Sequence, residues 1–270
     1  MRKYLNRIFY SFICLVVLIS GFYSFWLYPR YSVPILTYHS FDYGHGLLSV
    51  SPENFERQMK LIKQHGYHVI SFDEAVEEMK AKRKFAHNTV VITIDDGYQN
   101  NYTVAYPILK KYGFPATIFL ATNFMDTKQG FLTWDQVREM SHNGISFGGH
   151  TKNHSYLPAI GDKNVLWDEI AGSKEMIEKQ IARPVYYFCY PNGGFTEQAK
   201  ITAQRAGYKG ACTTTRGFDL LNRNDFYEIN RISVRNANPE LSFSNLWAPI
   251  RFMAKLSGYY NIFRKGKSGY

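Results

Sequence analysis

The sequence predicts an α/β fold built on a parallel sheet, open or closed into a barrel. Two observations carry this. Short apolar runs rich in Val, Ile and Phe alternate along the chain with segments of helical periodicity. The chain also has 270 residues and 45% apolar content, enough for one large domain with a sizeable core. A largely disordered chain would not have this composition. No internal repeat or low-complexity linker is visible.

The elements follow in order. "VPILTYH" (33–39) reads as the first strand of the body. "SPENFERQMKLIKQHGY" (51–67) reads as a helix, with Ser51 as N-cap, Pro52 in the first turn and Gly66 at the stop. Its Phe55, Met59 and Ile62 share one face. "HVISF" (68–72) is a strand, and Ser71 and Glu74 have capping-box spacing for the helix after it. "TVVITID" (89–95) is a strand, and a helix over 100–112 ends at Gly113. "ATIFLA" (116–121) is a strand, and a short helix begins near Thr133 before the strand "ISFGG" (145–149). Leu166, Ile170, Ile177 and Ile181 mark a further helix. It precedes the strand "VYYFCY" (185–190), a helix over 196–208 and the strand "GACTT" (210–214). Trp134 and Trp167 fit helix packing, and Cys212 fits the core.

An apolar segment precedes the body. From Ile8 to Pro29 there is no charged residue, and the run is about long enough for a helix to cross a bilayer. Arg2, Lys3 and Arg7 come before it, which favours a cytoplasmic N-terminus; Tyr23, Trp26 and Tyr28 lie near its far end, as in an interfacial aromatic belt. No A-x-A-like pattern occurs between Leu18 and Val33, so a single-pass anchor is expected ahead of a cleaved signal peptide. The chain thus divides into an anchor (1–30), a body (31–240) and a tail (241–270), with the body on the extracytoplasmic side of the cell membrane.

Net charge is +10, but nine of those units fall in residues 1–30 and 241–270, which contain no acid. The body is nearly neutral, so a nucleic-acid-binding face is not supported. The tail "LWAPIRFMAKLSGYYNIFRKGKSGY" (246–270) suits the interface of an anionic membrane or wall polymer. A helix packed on the body with a basic end is the alternative. Three cysteines make no disulfide framework, and with Cys14 in the apolar run at most one bridge, Cys189 to Cys212, is open.

The chemistry starts at "VVITIDDGYQN" (90–100), an apolar strand ending on two adjacent carboxylates. Asp-Gly is also a common turn signal. In parallel α/β folds, however, ligands gather at the carboxyl ends of the strands. Asp95 and Asp96, His39, His150 and "YPNGG" (190–194) all follow predicted strands. "HTKNH" sets His150 and His154 four apart, which on a helical turn puts both imidazoles on one face. Two imidazoles and one carboxylate form a facial set suited to a hydrolytic divalent metal. One aspartate can complete that set and the other can serve as base, and a cation offsets their mutual repulsion.

At "TIDDG" (93–97), "HTKNH" (150–154) and "FCYPNG" (188–193) the sequence resembles the polysaccharide deacetylases, or NodB-like carbohydrate esterases. The contexts "YPILKKYGFPATIFL" and "LTWDQVREMSHNGISFGGHT" resemble them too, from about residue 33 to 240. The resemblance implies an irregular β/α barrel. It implies Asp95 as catalytic base and Asp96, His150 and His154 as ligands of one divalent ion, with zinc expected. It implies the backbone N–H of Asn192 at the oxyanion. The implied substrate is an acetylated polysaccharide containing N-acetylglucosamine.

Two departures stand out. Where the family commonly has an arginine in its third motif, this chain has Cys189. The family's usual acid is a C-terminal histidine, and none of the eight histidines lies after His154. The branch of poly-N-acetylglucosamine deacetylases carries a histidine on the first strand, and "TYHSF" places His39 there, with His45 as understudy. Arg231, in "NRISV", is a candidate to orient Asp95; a surface or salt-bridge role is the alternative. Cys189 also admits a catalytically decayed sugar-binding protein, and an O-acetyl esterase acting on another glycan is a third reading.

Overall fold

A computed structural model describes residues 2–22, 32–44, 48–86, 88–216, 219–220 and 224–234. Helix α1 spans Arg2–Phe22, and Ile8, Phe9, Phe12, Leu15, Leu18 and Ile19 are all exposed on it. No helix among the described residues is long and apolar enough to cross a membrane. The expected span to Pro29, with Tyr23, Trp26 and Tyr28, continues beyond α1 outside the described residues, as do His45 and the tail 241–270.

The body begins with β1 (Ser32–Val33) and β2 (Ile35–Tyr38), then α2 (Pro52–Gln64), β3 (His68–Ile70) and α3 (Phe72–Lys80). Next come β4 (Thr89–Ile94), α4 (Tyr106–Tyr112), β5 (Ala116–Leu120), α5 (Trp134–Ser141) and β6 (Ile145–Gly149). The chain continues through α6 (Lys163–Ile181), β7 (Tyr187–Cys189), α7 (Glu197–Arg205), β8 (Gly210–Arg216), β9 (Asp219–Leu220) and β10 (Ile229–Ser233). Caps fix the helix starts: the side chains of Ser51, Ser71, Thr133, Asp162 and Thr196 each accept a backbone N–H of the first turn.

The main sheet runs β2-β10-β8-β7-β6-β5-β4-β3, and an additional β2–β4 pairing closes it. Seven strands therefore form a parallel barrel, with β3 alongside the first half of β4. The register explains the fork: β3 pairs with Thr89, Val90 and Val91, and β2 with Val91 through Ile94. Every residue of β4 and of β5 is buried, as expected of strands covered on both faces. Each such Val, Ile or Leu contributes about 1.5–3 kcal/mol by leaving water. The glycines of β6 are dictated by packing, because a Cβ on Gly149 would lie 2.1 Å from the Tyr208 hydroxyl.

The structure corrects several expectations. β10, which lies between β2 and β8 in the barrel, is not among the expected strands. β7 is confined to Tyr187–Cys189. The 100–112 helix opens with a π-helical stretch, Asn101–Ala105. Cys189 and Cys212 are register partners on β7 and β8 but are both free thiols. Trp134 is buried in the core, whereas Trp167 is 41% exposed with Arg205 over its ring.

Candidate active site and metal centre

The carboxyl ends of the strands converge on one cleft of about 420 Å³, lined by His39, Asp95, Asp96, His150, His154, Asn192 and Arg231, among others. Six of these seven positions follow the strand ends or motifs read from the sequence; Arg231 arrives on β10.

The adjacent carboxylates diverge. Asp96 has φ +75° and Gly97 φ +81°, so the chain turns left-handed as it leaves β4. That conformation costs a residue bearing a Cβ about 1–3 kcal/mol, and it lets Asp95 and Asp96 face different partners. Asp95 Oδ1 accepts from Arg231 Nη1 and Oδ2 from Nη2, both at 2.7 Å, a bidentate pair with both residues 2% exposed. Burial alone would raise the Asp95 carboxyl. The Arg231 charge and its two hydrogen bonds overcome this and hold it below its ordinary value.

Arg231 is itself fully engaged. Nε donates to the Thr213 carbonyl at 3.1 Å and Nη1 to Thr93 Oγ1 at 3.2 Å, while Nη2 lies 3.0 Å from Cys189 Sγ. The surface alternative for Arg231 is overturned by its complete burial. Where the resemblance expects an arginine on the strand of Cys189, a guanidinium reaches Asp95 from β10 instead.

Asp96 faces the histidines. Its Oδ1 lies 3.3 Å from His150 Nε2 and 3.2 Å from His154 Nε2. His150 Nδ1 is 2.7 Å from the Cys189 carbonyl oxygen. A carbonyl only accepts, so Nδ1 carries the hydrogen, and Nε2 presents a lone pair whenever the ring is neutral. Burial disfavours the charged ring, but the neighbouring acceptors and carboxylates outweigh it and raise His150 well above the ordinary imidazole value. The charged ring is therefore favoured unless a cation takes the proton's place at Nε2. Asp96 Oδ1 is buried and lacks a hydrogen-bond partner. With the rings neutral, acceptors confront one another, an arrangement that a cation satisfies. Metal–ligand bonds of about 2.0–2.2 Å separate tetrahedral ligand atoms by roughly 3.3–3.6 Å, close to the spacing found. The residues present therefore fit a divalent ion held by Asp96, His150 and His154. A second grouping, Asp95, His150 and Cys189, fits less well. Arg231 occupies Asp95, and burial pushes the Cys189 thiol up, keeping it protonated.

The His150–His154 segment is a loop, not the helical turn expected. Thr151 and His154 have φ of +64° and +55°, and these reversals bring the two rings edge to face at 4.9 Å. His39 follows β2 directly, and its Nε2 lies 3.7 Å from Asp95 Oδ2. Asn101 Nδ2 donates to its backbone carbonyl at 2.8 Å. Burial pushes His39 below the ordinary imidazole value, although Asp95 and Asp96 pull the other way. Asn192 sits on the rim with φ +55°, on the turn after β7.

A closed parallel barrel with an Asp-His-His group and a second carboxylate at its strand ends defines a hydrolase-type site. Comparison with known proteins agrees. The polysaccharide deacetylase family model matches residues 82–211. YxkH of Bacillus subtilis (strain 168), a protein named for this family, is 34% identical over 221 residues, covering 82% of this chain and 77% of its own. The poly-beta-1,6-N-acetyl-D-glucosamine N-deacetylase of Staphylococcus aureus is 29% identical over 199 residues, 69% of this chain and 68% of its own. The Streptococcus pyogenes deacetylase PplD, solved in complex with acetate, superposes with a TM-score of 0.72 at 32% identity, covering 77% of this chain and 95% of its own. The chain belongs to the polysaccharide deacetylase family, hydrolases acting on carbon–nitrogen bonds other than peptide bonds.

Proposed function

We propose that this protein removes acetyl groups from N-acetylglucosamine units of an extracellular or cell-wall polysaccharide, using one divalent metal ion, with zinc expected. The observation that carries this reading is the division of labour between neighbouring carboxylates. Asp96 faces two imidazole nitrogens, while Asp95 is held by Arg231 beside His39. The S. aureus relative makes poly-β-1,6-N-acetylglucosamine the first polymer to try.

Asp96, His150 and His154 would hold the cation, which would supply Lewis-acid polarisation and lower the pKa of a nearby water. Asp95 takes the water's proton as general base, and the depressed value of its carboxyl keeps it ionised for this role. The backbone N–H of Asn192 donates to the developing oxyanion, by analogy with the family. An amine anion leaves poorly, so its nitrogen must be protonated as the C–N bond breaks. His39 delivers that proton. Because burial favours its neutral form, His39 gains the proton during turnover from Asp95, 3.7 Å away. Acetate and a free amino sugar result.

The decayed-site reading rested on Cys189, and Arg231 supplies the guanidinium that Cys189 cannot. The exposed apolar face of α1 and the uncharged run to Pro29 support a membrane anchor with the catalytic body outside. Incubation with β-1,6-linked N-acetylglucosamine oligomers and, in parallel, with O-acetylated xylan tests the substrate class. Acetate release accompanied by an equal yield of free amine is expected from the first. Release from the xylan alone would identify an ester hydrolase.

A further inference from the structure

The two histidines facing Asp96 sit on a loop of uncommon backbone conformation. Thr151 and His154 are both left-handed without being glycine, a conformation that persists only where the surroundings impose it. On one side the backbone N–H groups of Thr122 and Asn123 hold it, donating to the carbonyls of Thr151 at 3.2 Å and Lys152 at 2.8 Å. The group on the other side is Glu169, on the neighbouring helix α6. It is 5% exposed. One of its oxygens, Oε2, accepts the backbone N–H groups of Lys152 at 2.9 Å and Asn153 at 3.0 Å. The other, Oε1, accepts from Asn153 Nδ2 at 2.6 Å and Ser155 Oγ at 3.0 Å. Consecutive N–H groups beside left-handed residues form a concavity that binds anions. Here the anion belongs to the chain itself.

The four donors belong to Lys152, Asn153 and Ser155, all in or next to the segment separating His150 from His154. Among the described residues, the hydrogen bonds of Glu169 go to Lys152, Asn153 and Ser155 and to neither imidazole. Other bonds also hold the loop: Ser155 N–H donates to Thr151 Oγ1 at 3.1 Å, and Asn123 Nδ2 to Asn153 Oδ1 at 2.8 Å. Among the described residues, Glu169 alone accepts both backbone N–H groups at the loop's centre, those of Lys152 and Asn153.

We infer that Glu169 is a positioning residue for the metal centre, fixing the loop so that His150 and His154 converge on Asp96. The inference rests on the metal-dependent reading above. Glutamine at this position has one acceptor oxygen where glutamate has two, and its amide group would confront the Asn153 amide with a second donor. Charge-assisted bonds to the loop would be lost.

The test is zinc affinity, measured on full-length protein by competition with a chromophoric chelator, together with the visible spectrum of the cobalt-substituted protein. Glu169→Gln is expected to weaken zinc binding about 10–100-fold, the range for groups that orient metal ligands, and to alter the cobalt spectrum. Affinity within twofold of wild type and an unchanged spectrum would overturn the role. If Glu169→Gln does not fold, the double variant Asn153→Ala/Ser155→Ala replaces it, removing both side-chain donors to Oε1. Zinc binding weakened about fivefold or more then supports the role, and unchanged binding overturns it. A wild-type protein that binds no zinc would fail the metal reading itself, and the positioning role with it.

Discussion

Arg231 and Asp95, 136 residues apart in sequence, meet in the barrel interior through two hydrogen bonds of 2.7 Å. The pair joins the last described strand to the first carboxylate of the site. It also explains how a carboxylate 2% exposed stays ionised. Replacing Arg231 with Met would leave Asp95 buried and unpaired, a change that typically costs about 3–5 kcal/mol.

A pH profile separates that stability loss from catalysis. Arg231 depresses the Asp95 carboxyl, so removing it raises the value at which the base becomes ionised. The acid limb of kcat/KM in Arg231→Met should therefore move to higher pH. A merely structural arginine would lower the amount of active protein and leave the limb in place. The same linkage sets acid stability. The depressed carboxyl contributes stability that is fully present above the unfolded value of about 3.9. That contribution is lost as pH falls through the lower folded value.

Asp95→Asn should keep the metal, because Asp96, His150 and His154 are untouched. Turnover should fall by about 10²–10⁴, the usual contribution of a general base. Bound metal by atomic absorption and turnover on one sample check both halves. Wild-type-like turnover would put the base elsewhere.

His39 follows from the need to protonate the leaving amine. His39→Ala should spare metal binding and slow amide hydrolysis steeply. Hydrolysis of an activated phenyl acetate should fall far less, since phenolate leaves without a proton. Equal effects on both substrates, or none, would remove His39 from the acid role and turn attention to His45.

The membrane reading predicts that full-length protein stays in the particulate fraction through alkaline washing, held by residues 8–28. An N-terminus of the mature protein beginning after about residue 25 would indicate a cleaved signal instead. Deleting residues 259–270 should weaken binding to anionic vesicles in a salt-sensitive manner. Unchanged binding at low salt would favour a tail packed on the body.

Much of this barrel was legible because its strands are covered on both faces. β4 and β5 read as continuous apolar runs, and the polar residues that end them stand out. Caps were legible because they are local: Ser51 and Ser71 bond within three residues of themselves. What escaped depends on distant contacts. β10 reads "INRIS", three of its five residues polar, so it lacks an apolar run; the Arg231–Asp95 pairing is a candidate from sequence, but the strand that carries it is not. Glu169 resembles a surface acid on an amphipathic helix until the loop donors of residues 152–155 are seen around it. The left-handed residues of "HTKNH" were hidden because four-residue spacing fits a helical turn equally well.

The central claim is that one cation held by Asp96, His150 and His154 governs N-acetyl hydrolysis. The direct measurement is a zinc titration of chelator-stripped full-length protein, with acetate release from β-1,6-linked N-acetylglucosamine oligomers followed at each addition. The rate should be negligible without zinc, rise linearly and break at about one equivalent, with no recovery in His150→Ala. Hydrolysis that survives stripping, or a His150→Ala protein that regains full rate, would contradict it.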